Sequence, residues 1–261
     1  MKMTVLGSGG SLGTPAAGGF WGVCDPANEK NHRTRASLLI QSAKTTLLVD
    51  TSYDLRQQLT AYNIKHLDGV LISHGHNDHV NGIDDLRAIA YHGNRLLDLY
   101  TNAETHAEIE RRWPYLYKPI FGSIYTQFLA KKEIGNYDRF TIGDIDIESF
   151  EQDHTTCLSL GFRFGNFAYS VDVANLNEKS LEALRGVETW MVDAAAYHKD
   201  SVSTHANLKR VIKWVELLKP KMTYLTVLTT HMDYQTLCDE LPPHIRPAYD
   251  GLEIDLASNH R

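Results

Sequence analysis

The chain alternates between two kinds of hydrophobic pattern, and their order along the sequence predicts the fold class. Short apolar runs predict strands, whereas apolar positions three and four residues apart predict amphipathic helices. The predicted strands cover Met3–Leu6, Ser37–Gln41, Thr45–Asp50, Gly69–Ser73, Leu97–Thr101, Asp144–Phe150, Leu158–Phe164, Phe167–Ser170, Thr189–Val192, Met222–Thr226 and Leu252–Asp255. The predicted helices cover Asp54–Asn63, Ile83–Tyr91, Ala103–Arg112, Leu176–Leu184 and Asn207–Leu218.

In both halves of the chain, strands come first in hairpins and then alternate with helices. This order predicts an α/β protein in which two mixed β-sheets pack together with helices on their outer faces, an αββα sandwich. Neither a Pro/Ser-rich linker nor a short-period repeat interrupts the sequence, so we expect one domain over residues 1–261. The halves also echo each other weakly, because the runs that end at Asp50 and Asp172 both pass from apolar residues into an aspartate.

Composition and charge exclude several classes of protein. Hydrophobic residues make up 43% and charged residues 22% of the chain, which is typical of a globular protein. No apolar run approaches the roughly 20 residues that a membrane span needs, and Met1–Leu6 is too short for a signal-peptide core. The three cysteines, Cys24, Cys157 and Cys238, are far apart, so we expect a reducing, cytoplasmic compartment. A net charge of −6 argues against a broad nucleic-acid-binding surface.

Histidine is concentrated directly after one predicted strand. The chain has 13 histidines, and three of them lie in the segment Ser-His-Gly-His-Asn-Asp-His at residues 73–79. Neutral imidazoles have little reason to crowd together unless a cation holds them, and imidazole with carboxylate suits zinc, manganese or iron. We therefore predict that His74, His76, Asp78 and His79 are metal ligands, in a layout that suits two cations about 3.5–4 Å apart. The alternative is a solvated polar loop.

A two-metal site needs further ligands, and two strand ends supply candidates. His154 lies just past the strand that ends at Phe150, and Asp172 follows the strand Phe167–Ser170. The two oxygens of Asp172 could bridge a pair of cations. Taken alone, such a histidine is usually a surface residue and such an aspartate usually caps a turn. Asp50 fits an acceptor that orients a ligand imidazole, with a turn cap as the alternative.

The pattern His-x-His-x-Asp-His from His74 to His79, followed by separated His and Asp residues, resembles the metallo-β-lactamase superfamily. Three other segments narrow the resemblance: Gly7–Pro15, Asn31–Ser37 and Pro247–Leu252. They are similar to the phosphodiesterase branch that includes the phosphonate-pathway cyclic phosphodiesterase. The resemblance covers nearly the whole chain. It implies an αββα sandwich with the metals at one edge, between the two sheets.

The resemblance also implies a role for individual residues. It assigns His74, His76 and His154 to one cation and Asp78 and His79 to the other, with Asp172 as the bridge. His205, which precedes a predicted helix, matches the family's histidine that contacts phosphate or protonates the leaving group. A surface histidine at the start of a helix is the alternative.

Two departures from the family pattern bear on the site. The family's last metal histidine usually follows a Leu-Thr pair, but here Leu225-Thr226 is followed by Val227. We predict that the loop folds back so that His231 is the ligand, the alternative being a position filled by water or substrate. The related phosphonate-pathway enzyme also has a cysteine cluster for a structural zinc. Here that region keeps only Cys24, which cannot build such a site, so we expect none.

These observations predict a metal-dependent phosphodiesterase with two divalent cations, zinc or manganese. The cations would activate water near neutral pH, Asp78 and Asp172 would orient it, and His205 would protonate the departing alkoxide. Arg33, Arg35 or His32 could bind a phosphate oxygen, against the alternative of a solvated basic loop.

The expected partner is a small phosphate-ester substrate, with cyclic diesters among the candidates. Neither a membrane nor a nucleic acid is expected, and the oligomeric state stays open, with a homodimer as one alternative. Three other functions remain as rivals: a transfer-RNA 3′-processing endonuclease, a thioester hydrolase of the glyoxalase II type, and a non-hydrolytic metal-binding relative. The endonuclease needs a basic arm, and the sequence has no inserted Lys/Arg-rich hairpin.

Overall fold

The computed structural model describes residues 1–119, 126–197 and 204–256, and within these ranges fourteen strands form two seven-stranded sheets. The strands are β1 Lys2–Gly7, β2 Ser37–Gln41, β3 Thr46–Val49, β4 Gly69–Leu71, β5 Leu97–Thr101, β6 Leu129–Glu133, β7 Arg139–Ile142, β8 Ile145–Asp153, β9 Leu158–Phe164, β10 Phe167–Ser170, β11 Thr189–Asp193, β12 Met222–Thr226, β13 Ile245–Pro247 and β14 Glu253–Asp255. The helices are α1 Leu55–Ala61, α2 Asn77–Val80, α3 Leu86–Gly93, α4 Ala103–Arg112, α5 Glu178–Ala183, α6 Leu208–Leu218 and α7 Tyr234–Glu240. Short 3₁₀ turns cover Glu29–Asn31, Ile83–Asp85 and Pro114–Leu116.

Both sheets mix parallel and antiparallel pairs. The first sheet has the order β14-β1-β2-β3-β4-β5-β6, and its strands from β3 to β6 are parallel. The second has the order β13-β12-β11-β10-β9-β8-β7, and its strands from β10 to β13 are parallel. The predicted αββα sandwich of two mixed sheets is therefore confirmed.

Three apolar cores explain the four layers. The core between the sheets joins residues such as Leu38 and Val49 of the first sheet to Phe162 and Tyr169 of the second. A second core packs the outer face of the first sheet against α1, α3 and α4, and a third packs the other sheet against α5, α6 and α7. Each sheet is thus covered on both faces, as the continuous apolar runs of the central strands predict. Among the described residues, no helix is both long and apolar enough to cross a bilayer.

The parallel strands bring polar side chains to one end of each sheet, where the carboxyl ends of these strands lie side by side. Asp50 follows β3 and His74 follows β4 in the first sheet, while Asp172 follows β10 and Asp193 ends β11 in the second. At this end the Ser73 carbonyl accepts a hydrogen bond of 2.8 Å from the Leu160 amide of β9. The two sets of strand ends therefore meet between the sheets.

Three residues that follow these strands have left-handed backbone conformations: Asp50 at φ 62°, Asp172 at φ 50° and Val227 at φ 58°. Aspartate tolerates this conformation, but for a β-branched valine it is a true outlier that stores strain. Val227 is also buried in the core between the sheets. The end of β12 therefore carries an apolar side chain where the neighbouring strand ends carry carboxylates.

A half-buried carboxylate joins the three segments on which the branch resemblance rests. Asp250 accepts hydrogen bonds from the Ser8 amide and hydroxyl, both at 2.8 Å, through one oxygen. Its other oxygen accepts from the Thr34 amide at 2.7 Å and the Thr34 hydroxyl at 2.6 Å. These segments, which are far apart in sequence, thus form one hydrogen-bonded unit beside β1.

Several elements escaped the sequence prediction. The strands β6, β7 and β13 are short or charged, and each is the outermost strand at one side of its sheet. An edge strand is less buried than a central one, so its sequence carries little apolar pattern to detect. Helix α7 was also missed. The histidine-rich segment is not all loop, because residues 77–80 form a single helical turn, α2, with His76 at its N-cap.

Candidate metal centre

The strand ends bring imidazoles and carboxylates together into three overlapping groups of candidate metal ligands. Within each group the ligand atoms all lie within 4.8 Å of one another, and Asp172 belongs to all three. The first group is His74, His76, His154 and Asp172; the second is Asp78, His79 and Asp172; the third is Asp172, Asp193 and His205. The structure therefore brings together six of the seven metal ligands that the sequence predicts.

Asp172 lies between the histidines with one oxygen toward each side. Its Oδ2 is 3.4 Å from His74 Nε2 and 3.2 Å from His154 Nε2, and its Oδ1 is 3.3 Å from His79 Nε2. All four residues are buried. Burial by itself would raise the pKa of Asp172. The attraction between its carboxylate and a protonated His79 ring outweighs burial and holds that pKa well below its ordinary value.

Unpaired atoms show that the site suits a cation. The buried Nε2 atoms of His74 and His79 and the Oδ1 atom of Asp172 have no hydrogen-bond partner among the described residues. Two ligand atoms that bind one tetrahedral cation at about 2.1 Å lie about 3.4 Å apart, close to the separations found here. Because buried polar atoms normally have a partner, this set of imidazole and carboxylate atoms fits divalent zinc or manganese.

Residues around the cluster orient its histidines. Asp50 accepts from His79 Nδ1 at 2.8 Å and from the Ser73 amide and hydroxyl at 2.8 and 2.9 Å. The Ser73 hydroxyl lies 3.0 Å from His74 Nδ1, and the Thr204 carbonyl lies 2.5 Å from His154 Nδ1. When Nδ1 of each ring bears the proton, each Nε2 lone pair is directed toward Asp172.

We expect Asp50→Asn to weaken metal binding about 10- to 100-fold without unfolding the protein. Asparagine tolerates the left-handed backbone at this position, but it has only one oxygen. It therefore cannot accept from both the His79 ring and the Ser73 amide, which donate to different carboxylate oxygens. Competition against a metal-sensitive dye would measure the affinity. Asp146→Asn, the same change on the exposed side of β8, is the control, and unaltered affinity in Asp50→Asn would contradict the role given to Asp50.

A histidine–aspartate pair, of which Asp193 is buried and His205 half-buried, lies beside the cluster. His205 Nδ1 is 2.7 Å from Asp193 Oδ2, and the His205 ring centroid is 5.0 Å from that of His154. Burial by itself would lower the pKa of His205, but the Asp193 carboxylate outweighs burial and raises that pKa to about 9. The His205 ring is therefore protonated at neutral pH and can donate a proton.

Two residues near the site were missed by the sequence analysis. Asp193 ends an apolar run, Trp190–Val192, in the way that Asp50 and Asp172 do, so the same pattern could have identified it. Cys157 Sγ lies 3.9 Å from His76 Nε2, and burial raises the pKa of its thiol. No sequence pattern marks Cys157, since the turn after His154 places it there.

The structure does not bring His231 into the cluster. Its side chain is exposed and belongs to none of the three groups found among the described residues. Its amide donates to the Thr229 hydroxyl at 3.4 Å, and its side chain lines a separate cavity. The loop after Val227 therefore leads away from the ligands instead of folding back onto them.

The basic residues predicted to bind phosphate are engaged elsewhere in the protein. Arg33 is buried and donates to Asn31 Oδ1 at 2.9 Å and to the Thr229 carbonyl at 3.4 Å. Arg35 pairs with Asp54 at 3.0 Å, and His32 Nε2 lies 3.2 Å from the Pro26 carbonyl. Arg33 and Arg35 thus hold loops together, which corrects the expectation of basic side chains free to bind substrate.

The sequence matches a known family and several curated proteins. The model of the family described as "Beta-lactamase superfamily domain" matches residues 45–232. An octanoyltransferase of Porphyromonas gingivalis is 33% identical over 257 residues, covering 97% of this chain and 51% of that protein. An exodeoxyribonuclease, WalJ, of Streptococcus pneumoniae is 28% identical over 167 residues, covering 60% of this chain and 57% of that one. The chain therefore spans about half the length of these curated relatives.

Solved structures give the same picture of the fold. The crystal structure of a diphosphatase from the PhnP family has a TM-score of 0.87 and 28% identity, and the match covers 97% of this chain and 96% of that chain. The short form of human tRNase Z has a TM-score of 0.70 at 15% identity, with 98% and 99% coverage. The latter likeness concerns the fold alone.

Proposed function

The chain belongs to the β-lactamase superfamily, and from this premise we propose that it is a divalent-metal-dependent hydrolase that cleaves small phosphodiesters. The observation that carries the proposal is the position of Asp172, buried between two sets of ligand atoms with unpaired imidazole nitrogens on both sides. The proposed ligands of one cation are His74, His76, His154 and Asp172. Those of the other are Asp78, His79 and Asp172.

The two proposed metal positions differ in the number of ligands they offer. The first group has four, which is enough for a closed tetrahedral site, whereas the second has three and leaves a position open. A divalent cation bound there supplies a Lewis acid for a phosphoryl oxygen and lowers the pKa of coordinated water toward about 7. We expect the four-ligand position to bind more tightly than the three-ligand one.

The protein's own side chains would perform the proton transfers and the positioning. His205 is protonated at neutral pH and adjoins the ligand His154, so it is the proposed acid for the leaving oxygen. Asp193 holds the His205 ring through Nδ1. Asp78 is half-buried at the three-ligand position, where its carboxylate would orient the attacking water.

The relatives support chemistry at phosphorus. Diphosphatase and exodeoxyribonuclease are both names for enzymes that hydrolyse bonds to phosphorus. The octanoyltransferase is about twice as long as this chain, so its activity need not belong to the matched half. A net charge of −6 favours a small diester over a nucleic-acid strand, and the free cysteines are consistent with a cytoplasmic location.

Metal-dependent turnover tests the proposal. The protein is stripped with a chelator, reloaded with Mn²⁺ or Zn²⁺, and assayed with bis-p-nitrophenyl phosphate, ribosyl cyclic phosphates and the thioester S-lactoylglutathione. We expect two cations per chain, removed in two steps, and turnover of diesters but not of the thioester. Metal-loaded protein that leaves every diester intact would overturn the proposed function, and preferential thioester turnover would favour the glyoxalase II type of activity.

A further inference from the structure

A cavity of about 700 Å³ opens at the carboxyl ends of β11 and β12, next to α7. Its walls include Ala195 and Ala196 after β11, Thr229 and His231 after β12, and Thr236 and Glu240 of α7. A volume of this size lies within the range of small-molecule sites, about 300–1,000 Å³. The proposed function so far leaves this cavity without a role.

The cavity adjoins the strand that carries Asp193, the partner of the proposed acid. Strands β10, β11 and β12 are consecutive parallel neighbours, and adjacent strands lie about 4.8 Å apart. Asp172 follows β10, Asp193 ends β11, and Thr229 follows β12. Along the three strand ends, a proposed metal ligand is therefore followed by the partner of the acid and then by the cavity wall. Ala195 connects the last two: its amide donates to Asp193 at 2.9 Å, and its carbonyl accepts from the Thr229 hydroxyl at 3.1 Å.

The chemistry of the walls selects against anions. The described lining combines aliphatic carbons, an aromatic ring, hydroxyls and an imidazole with the carboxylates of Asp233 and Glu240, and includes neither lysine nor arginine. Asp233 accepts hydrogen bonds from Asn31 and Thr236, which keep it ionised. The two carboxylates of the described lining make its potential negative, and Arg33, which donates to the Thr229 carbonyl from behind the wall, offsets part of the Asp233 charge.

We propose that this cavity receives the alcohol that leaves the phosphodiester, and that it selects neutral or cationic alcohols over anionic ones. The inference rests on the proposed function. During hydrolysis the bond from the water oxygen to phosphorus forms as the water gives up one proton to solvent. The bond from phosphorus to the alcohol oxygen breaks, and that oxygen takes the proton of His205, which the ring regains from solvent. The departing alcohol then lies on the cavity side of His205, with His231 and Glu240 around it.

Three matched substrates test the charge selection. They are methyl phosphodiesters of choline, of its uncharged isostere 3,3-dimethylbutanol, and of 4-hydroxybutanoate, with methyl phosphate release followed by phosphorus NMR. We expect kcat/KM for the choline and dimethylbutanol diesters to exceed that for the hydroxybutanoate diester at least about tenfold. Glu240→Lys should reduce the ratio of choline to hydroxybutanoate turnover about tenfold or more.

Glu182→Lys is the matched control for charge. Glu182 is an exposed residue of α5 outside the cavity lining, and the substitution changes the net charge by the same amount. It should leave the ratio unchanged. An equal fall in the ratio for Glu182→Lys and Glu240→Lys would overturn the inference, because the selectivity would then come from the overall charge of the protein.

His231→Ala distinguishes a cavity residue from a metal ligand. We expect the variant to keep two cations per chain by elemental analysis, while KM for the choline diester rises severalfold and kcat changes little. Loss of one cation would show that His231 is a ligand, and it would overturn the assignment of His231 to this cavity.

A simpler substrate separates the diesterase activity from the leaving-group pocket. Methyl p-nitrophenyl phosphate has a good leaving group and reports diesterase activity with little help from the cavity. Turnover of this compound with no preference among the three alcohols would overturn the leaving-group pocket alone. If the metal-loaded protein cleaves no diester, the proposed function fails, and the pocket fails with it.

Discussion

Replacing Asp172 by asparagine is expected to lower kcat/KM for phosphodiesters at least about 1,000-fold and to reduce the bound metal from two cations per chain to one or none. The carboxylate belongs to both proposed metal groups, and its oxygens lie 3.2–3.4 Å from three imidazole nitrogens. Asparagine tolerates the left-handed backbone at this position but has no negative charge and only one oxygen. Elemental analysis and steady-state kinetics on the reloaded protein would measure both effects.

The control for Asp172→Asn is again Asp146→Asn, whose side chain is exposed on β8 and bonds to Thr141. Circular dichroism of both variants would show whether the fold is retained. A folded Asp172→Asn protein that keeps two cations and normal turnover would contradict the shared role of Asp172, and with it the two-metal site.

His205→Gln is expected to slow the cleavage of alkyl diesters about 100- to 10,000-fold while slowing p-nitrophenyl diesters far less. An alkoxide is a poor leaving group that needs a proton in the transition state, whereas p-nitrophenolate leaves readily without one. His205 can supply this proton because Asp193, 2.7 Å away, raises its pKa to about 9. The measurement compares kcat for the dimethylbutanol and p-nitrophenyl methyl diesters in the wild-type protein and the variant.

The difference between the two substrates is what identifies a proton donor. His92→Gln, at an exposed position near the end of α3, is the matched control and should affect neither substrate. Equal losses on both substrates in His205→Gln would mean that His205 binds phosphate or supports the metal site instead of protonating the leaving group. Asp193→Asn should reproduce the dependence on leaving group more weakly, because it removes the charge that keeps the ring protonated.

The sequence predicts the central strands of the fold well, because the apolar pattern of a buried strand lies within the strand itself. The strands Leu97–Thr101, Leu158–Phe164 and Met222–Thr226 have the predicted bounds, since buried strands need apolar runs whatever their neighbours are. The edge strand β7 was missed, because an edge carries charged and polar side chains that resemble a loop. The helical turn α2 was missed because four residues with two histidines and an aspartate carry no apolar period.

The sequence by itself determined that four candidate ligands, His74, His76, Asp78 and His79, lie together, because they fall within six residues and no fold is needed to bring them close. It also pointed to His154 and Asp172 through their places at strand ends. Only the tertiary structure decided which distant side chains join them. It paired His205 with Asp193, buried Arg33 against Asn31, and directed the loop of His231 away from the ligands. The physical reason is that spacing along the chain governs contacts within a turn or two, whereas strand order and loop direction depend on how the two sheets pack.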